Sequence, residues 1–125
     1  MNYALSFKEL ETYKLSREIS NNIFQISQMF PKEEKYSLTD QIRRSSRSVG
    51  AQIAESWGKR RYEKHFISKL TDAESEIFET QHLLEVAKEC EYINNAQLQI
   101  LNDKCESLGK MISNMIQKAN KFCKG

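Results

Sequence analysis

The stretch LQILNDKCESLGKMISNMIQKANKF, residues 98–122, places Leu98, Leu101, Cys105, Leu108, Ile112, Met115, Ala119 and Phe122 at alternating spacings of three and four. Residues so spaced share one face of a helix, so the segment predicts a long amphipathic helix with a buried seam. The segment before it repeats the pattern with Phe66, Leu70, Ala73, Ile77, Thr80, Leu84 and Ala87, and Asn94-Asn95 supplies the break and an N-cap between the two. Further upstream Leu15, Ile19, Ile23, Ile26 and Phe30 form a third seam after Phe7 and Leu10. Pro31 forces Phe30 out of helical geometry and ends that helix near Met29. Ser37, as N-cap with Asp40 in the first turn, opens the remaining helix, whose seam is Leu38, Ile42, Ser45, Val49, Gln52 and Ser56. Gly58 closes it, with Lys59-Arg60-Arg61 beside its negative C-terminal dipole. The pattern predicts an all-α fold, an antiparallel up-down four-helix bundle in a single domain over 1–125, with helices at roughly 8–29, 38–57, 63–90 and 95–123. Such helices are about 30 to 42 Å long at a rise of about 1.5 Å per residue.

Composition agrees. A chain of 125 residues with one Pro and four Gly lacks the frequent turns of a sandwich or barrel. No window holds eighteen uncharged apolar residues, and the first ten residues lack an apolar signal core, so no membrane partner is expected and the localisation expected is cytoplasmic. Cys90, Cys105 and Cys123 are odd in number and form no CxxC pair, which predicts free thiols, with Cys105 acting as a small hydrophobe on its seam. Tyr13, Phe24, Trp57, Ile67, Phe78, Leu83, Val86 and Ile116 miss the seams and predict a second buried face, hence self-association.

A bundle invites one enzymatic comparison, the di-iron carboxylate centre, which needs two Glu-x-x-His elements. Glu79 to His82 supplies one, but Tyr62 stands three residues before the other histidine, His65. His82 also points away from the seam. No nucleophile has a histidine in recognisable context and no Gly-rich loop could cradle a phosphate. The expectation is therefore no enzyme, no metal and no cofactor.

Charge is more informative. The net +2 of the chain resolves into −1 over 1–40, +5 over 41–64, −5 over 65–91 and +3 over 92–125. The second helix holds polar groups on two flanks. Gln41, Arg44, Ser48, Gln52 and Glu55 predict a structural polar network, inside or between bundles, with Arg44 bonded to Glu55 or Glu76. Ser45, Ser46, Ser48, Gly50, Ala51 and Ala54 predict a surface that another helix approaches closely. Arg43, Arg47, Lys59, Arg60, Arg61 and Lys64 are the candidate nucleic-acid-binding residues. Clustered cations displace counterions from phosphate. The competing reading pairs them with acids of the third helix. No platform of interleaved aromatics is apparent in the linear sequence.

Phe30-Pro31, Glu34, Tyr36, Leu38, Gln41-Ile42-Arg43-Arg44, Ser48-Val49, Ile53-Ala54-Glu55, Arg60 and Phe66 form a phrase of fairly specific spacing. It continues through Leu70, Ala73, Ser75-Glu76, Leu83-Leu84, Ala87 and Glu91-Tyr92-Ile93. On these residues the chain resembles the bacterial 23S rRNA intervening-sequence proteins, also called four-helix bundle proteins. It departs from them at Gln52, where the family usually has Asn, and at Ser56, where it has Gly. The resemblance implies an up-down bundle that assembles as a homopentamer without known enzymatic activity. A related branch, the accessory variability determinant of diversity-generating retroelements, implies RNA or DNA and a reverse transcriptase as partners. The expected function is thus a non-enzymatic homo-oligomer binding nucleic acid through its basic patch, the alternative a protein-interaction scaffold that does not.

Overall fold

A computed structural model describes residues 4–123; residues 1–3 and 124–125 of the expected domain lie outside it. Its long elements are helices α1 (Glu11–Ser27), α2 (Leu38–Gly58), α3 (Glu63–Glu89) and α4 (Asn95–Gln117), followed by the short turn α5 (Ala119–Phe122). Each long helix packs against the next, and α4 returns to α1, closing a four-helix bundle. Cross-helix pairs run in opposite senses along each contact. Between α2 and α3, Ser45 meets Thr80 and Glu55 meets Lys69. Between α1 and α4, Thr12 meets Met115 and Asn22 meets Lys104. The bundle is antiparallel and up-down.

The helix ends differ from the sequence reading in instructive ways. Residues 7–9 form a separate 3-10 turn, and α1 begins only after Leu10, whose extended backbone interrupts the helix. Ser37 sits at the N-terminal boundary of α2, but its hydroxyl donates to the Glu34 carboxylate at 2.6 Å. Glu34 itself accepts from the Leu38 N–H at 3.3 Å, so the carboxylate does the capping. Asn94 caps α4 as read: its side chain accepts from the Gln97 N–H at 2.8 Å, and the Gln97 side chain accepts from the Asn94 N–H at 2.9 Å. The last helix is not continuous to 123, because Lys118 leaves helical geometry between α4 and α5.

The α3 and α4 seams are buried as the spacing demands, from Phe66 to Ala87 and from Leu101 to Ala119. In α1 the core face is half serine: Ser16, Ser20 and Ser27 are buried beside Ile19 and Ile23. Their hydroxyls donate to the carbonyls of Tyr13, Arg17 and Phe24 at 2.6, 3.1 and 3.0 Å, which makes burial tolerable. In α2, Ile42, Ile53 and Ser56 are fully buried, while Gln52 is only half-buried. Small residues let α1 and α2 approach closely at Gly50. A Cβ there would lie 3.0 Å from the Ser16 hydroxyl.

The surplus of apolar residues is smaller than the sequence suggests. Leu83 is buried within the monomer, and Tyr13, Trp57, Ile67, Val86 and Ile116 pack partly against the core. Only Phe24 and Phe78 of that group are exposed, at 37% and 69%. Among the described residues no helix is long and apolar enough to cross a membrane.

Candidate nucleic-acid interface

Helix α2, the turn after it and the first turn of α3 carry seven cations from Arg43 to Lys64. Arg44 pairs with Asp40 one helical turn earlier, at 3.6 Å. Among the described residues the other six have no carboxylate within ion-pair distance; the salt bridges there are Lys14 to Glu11, Arg44 to Asp40, Lys69 to Glu55 and Lys104 to Glu18. The competing reading, neutralisation by the acids of α3, is therefore not what the fold builds. The one ion pair joining α2 to α3 takes its cation from α3 and its acid from α2.

The fold holds several of these cations by other means. The Arg43 Nε–H donates to the Ser27 hydroxyl at 2.7 Å, and its guanidinium lies 4.6 Å from the centre of the Phe24 ring. Arg47 approaches the same ring at 5.6 Å. Beyond the C-terminus of α2, the Arg60 Nε–H donates to the Trp57 carbonyl at 2.8 Å and its guanidinium lies 3.5 Å over the Trp57 ring. An aromatic face attracts a cation without neutralising it, so each arginine keeps its charge and its outer N–H donors. Lys59, Arg61 and Lys64 are exposed on the α2–α3 turn and the first turn of α3. Sequence reasoning set Phe24 and Trp57 aside as spare apolar residues. Counting the outer flank of α1, where Tyr13, Arg17 and Phe24 recur at spacings of four and seven, would have found the first of them.

Within the monomer the expected polar network is not built; of its six residues only Ser48 and Glu76 bond to each other. Arg44 bonds to neither Glu55 nor Glu76, because its exposed side chain reaches Asp40 on its own helix. Glu55 pairs with Lys69 at 3.1 Å, and Glu76 accepts from the Ser48 hydroxyl at 3.1 Å. Gln41 is exposed, and the Gln52 Oε1 is buried with no hydrogen-bond partner. Gln41, Arg44, Ser48 and Glu76 line an open groove of about 600 Å³ between α2 and α3.

No group of three or more His, Cys, Asp or Glu side chains suited to a metal ion occurs among the described residues, and His82 is exposed. Burial pushes the Cys105 thiol up to about 12, so it stays a protonated core side chain. Cys90 is exposed and Cys123 half-buried, all three thiols being free.

The model of the 23S rRNA-intervening sequence protein family matches residues 8–114. The chain belongs to that family. A solved relative, a protein of unknown function from the S23 ribosomal protein family of Bacteroides thetaiotaomicron, is similar at 29% identity and a TM-score of 0.76, over 85% of this chain and 98% of that one. No curated protein matches. The match to the intervening-sequence family runs from before α1 nearly to the end of α4, and so includes every candidate cation. Neither comparison points to an enzyme family.

Proposed function

We propose that this intervening-sequence family member is a non-enzymatic cytoplasmic protein that assembles as a homopentamer and binds RNA or DNA through phosphate contacts from Arg43, Arg47, Lys59, Arg60, Arg61 and Lys64. The observation that carries the reading is that six of the seven cations between residues 41 and 64 have no carboxylate partner among the described residues. Cations left open in one segment offer phosphate a site without an ion pair to break first. Repetition of the patch around a ring would concentrate its potential. Assembly is supported by the family resemblance and by two features of the monomer, Phe78 of α3, which is 69% exposed, and the buried Gln52 Oε1 of α2, which lacks a partner.

The test is affinity for labelled RNA and duplex DNA as a function of salt. Six phosphate contacts predict a loss of about a thousandfold between about 50 and 200 mM salt. Binding that is absent at low salt, or indifferent to salt, contradicts the reading. Light scattering should give a multiple of the 14.6 kDa chain mass, and a clean monomer contradicts the assembly.

The groove between α2 and α3 favours a second reading. It sets Arg44 and Arg47 against Glu76 and Glu79. A lining of both signs suits a protein better than a phosphate backbone, and a scaffold binding a protein such as a reverse transcriptase would use it. Capture of that partner after nuclease treatment, with no nucleic-acid binding, would favour the scaffold.

A further inference from the structure

In sequence Phe24 stands far from Arg43 and Arg47, whereas the fold brings the three together. Along the outer seam between α1 and α2, Phe24 comes from one helix and Arg43 and Arg47 from the other. Arg17 shares Phe24's flank of α1 by its spacing and is exposed, with no carboxylate partner among the described residues. At the far end Trp57 carries Arg60 on its face. Around α2, Arg47 lies about 40° to one side of Arg43 and Trp57, fourteen residues on, about 40° to the other, so the three fall within about 80° of the helix. From Arg43 to Trp57 the flank runs about 21 Å at a rise of about 1.5 Å per residue.

We infer that this seam is a track for single-stranded nucleic acid, in which arginines backed by Phe24 and Trp57 stack on unpaired bases while their outer N–H groups hold phosphate. The inference rests on the nucleic-acid reading above and narrows it to a substrate class. A guanidinium held beside an aromatic ring meets a further partner at little added entropic cost, and guanidinium planes and aromatic rings are the surfaces on which splayed bases stack. Two such stations joined by cations match the requirement for single strands, a basic groove punctuated by stacking platforms. A duplex keeps its bases stacked on each other and offers such stations nothing but phosphate. Hydrogen bonds hold both stations in place, Arg43 through Ser27 and Arg60 through the Trp57 carbonyl.

The discriminating variant keeps charge and removes the plane. Arg43→Lys with Arg60→Lys should weaken binding of labelled oligouridine or oligodeoxythymidine by about tenfold or more, leave the salt slope unchanged, and leave affinity for a duplex of equal length unchanged. Phe24→Leu, at an exposed position, should weaken single-strand binding about fivefold in the same way. Variants that bind single strands as the wild type does overturn the track. So does a wild type that binds duplex as tightly as single strand, or that releases the oligonucleotide to polyglutamate as readily as to unlabelled strand. Each of those outcomes leaves phosphate binding intact, whereas no binding to any nucleic acid at low salt overturns the proposed function as well.

Discussion

Two residues in the chain turns illustrate how much a single side chain fixes. The Tyr92 hydroxyl, in the turn between α3 and α4, donates to the Glu34 carboxylate at 2.9 Å, and the Phe30 and Tyr92 rings lie 5.4 Å apart, so the two turns at this pole of the bundle are joined. Hydrogen bonds from Ser37, then Tyr92, then the Leu38 N–H hold the Glu34 carboxyl below its ordinary 4.5. The bond to Glu34, ahead of desolvation, pushes the Tyr92 phenol from 10.0 up to about 12. The signs follow from linkage. Glu34 stabilises the fold fully above its ordinary value and loses that contribution as pH falls through its lowered one. Tyr92 contributes fully below 10.0 and loses it as pH rises towards about 12. Thermal melts should therefore show the wild type losing stability between these two values relative to Tyr92→Phe, and parallel curves would refute the linkage. Glu91, beside it, closes α3 in the left-handed region at φ 63°, where glycine is the usual residue. Glu91→Gly should raise unfolding free energy by about 0.5 to 1 kcal/mol, the steric relief exceeding the added freedom of the unfolded chain. Urea unfolding measures it, and a lower midpoint would contradict it.

At the scale of elements, the seams of α3 and α4 were legible because Leu, Ile, Met and Phe announce their burial. Those of α1 and α2 were legible only in part. In α2 the seam serines Ser45 and Ser56 are buried as read; in α1 Ser16, Ser20 and Ser27 are buried too, yet serine is ordinarily a surface residue, so a count of apolar positions drew that seam through half-buried Leu15 and Ile26. What makes serine acceptable is a hydroxyl returned to its own helix. What makes it useful is size, because two backbones can then draw near. The Thr80 hydroxyl donates to the Glu76 carbonyl at 2.8 Å and meets Ser45 at 2.8 Å, joining α2 to α3 by the same economy of volume. At Gly50 there is no spare room: Gly50→Val should destabilise by about 1 to 3 kcal/mol by forcing α1 from α2. Denaturant unfolding tests it, and an unchanged midpoint would show that the helices can part without cost.

Across the whole molecule, the basic segment was legible from the order of charges, but its pairing was not. Which acid a lysine reaches depends on helix register and rotation, and the fold turns the acids of α3 to other uses. Glu76 takes a serine hydroxyl, and Glu55 of α2 takes Lys69. The aromatic backing of Arg43 and Arg47 was likewise hidden, because Phe24 stands far from them in sequence. The result is a small bundle whose α1–α2 seam and α2–α3 turn carry a cluster of cations without carboxylate partners among the described residues. Net charge alone would attract nucleic acid weakly to any part of the surface, whereas a located site makes position decisive. The most direct measurement compares two variants with the same change in charge, Arg60→Glu with Arg61→Glu against Lys88→Glu with Lys110→Glu on the α3–α4 side. If phosphate is bound where proposed, the first pair lowers RNA affinity by about a hundredfold or more and reduces the salt slope, while the second changes it by only a few-fold. Equal losses from both pairs would contradict a located site.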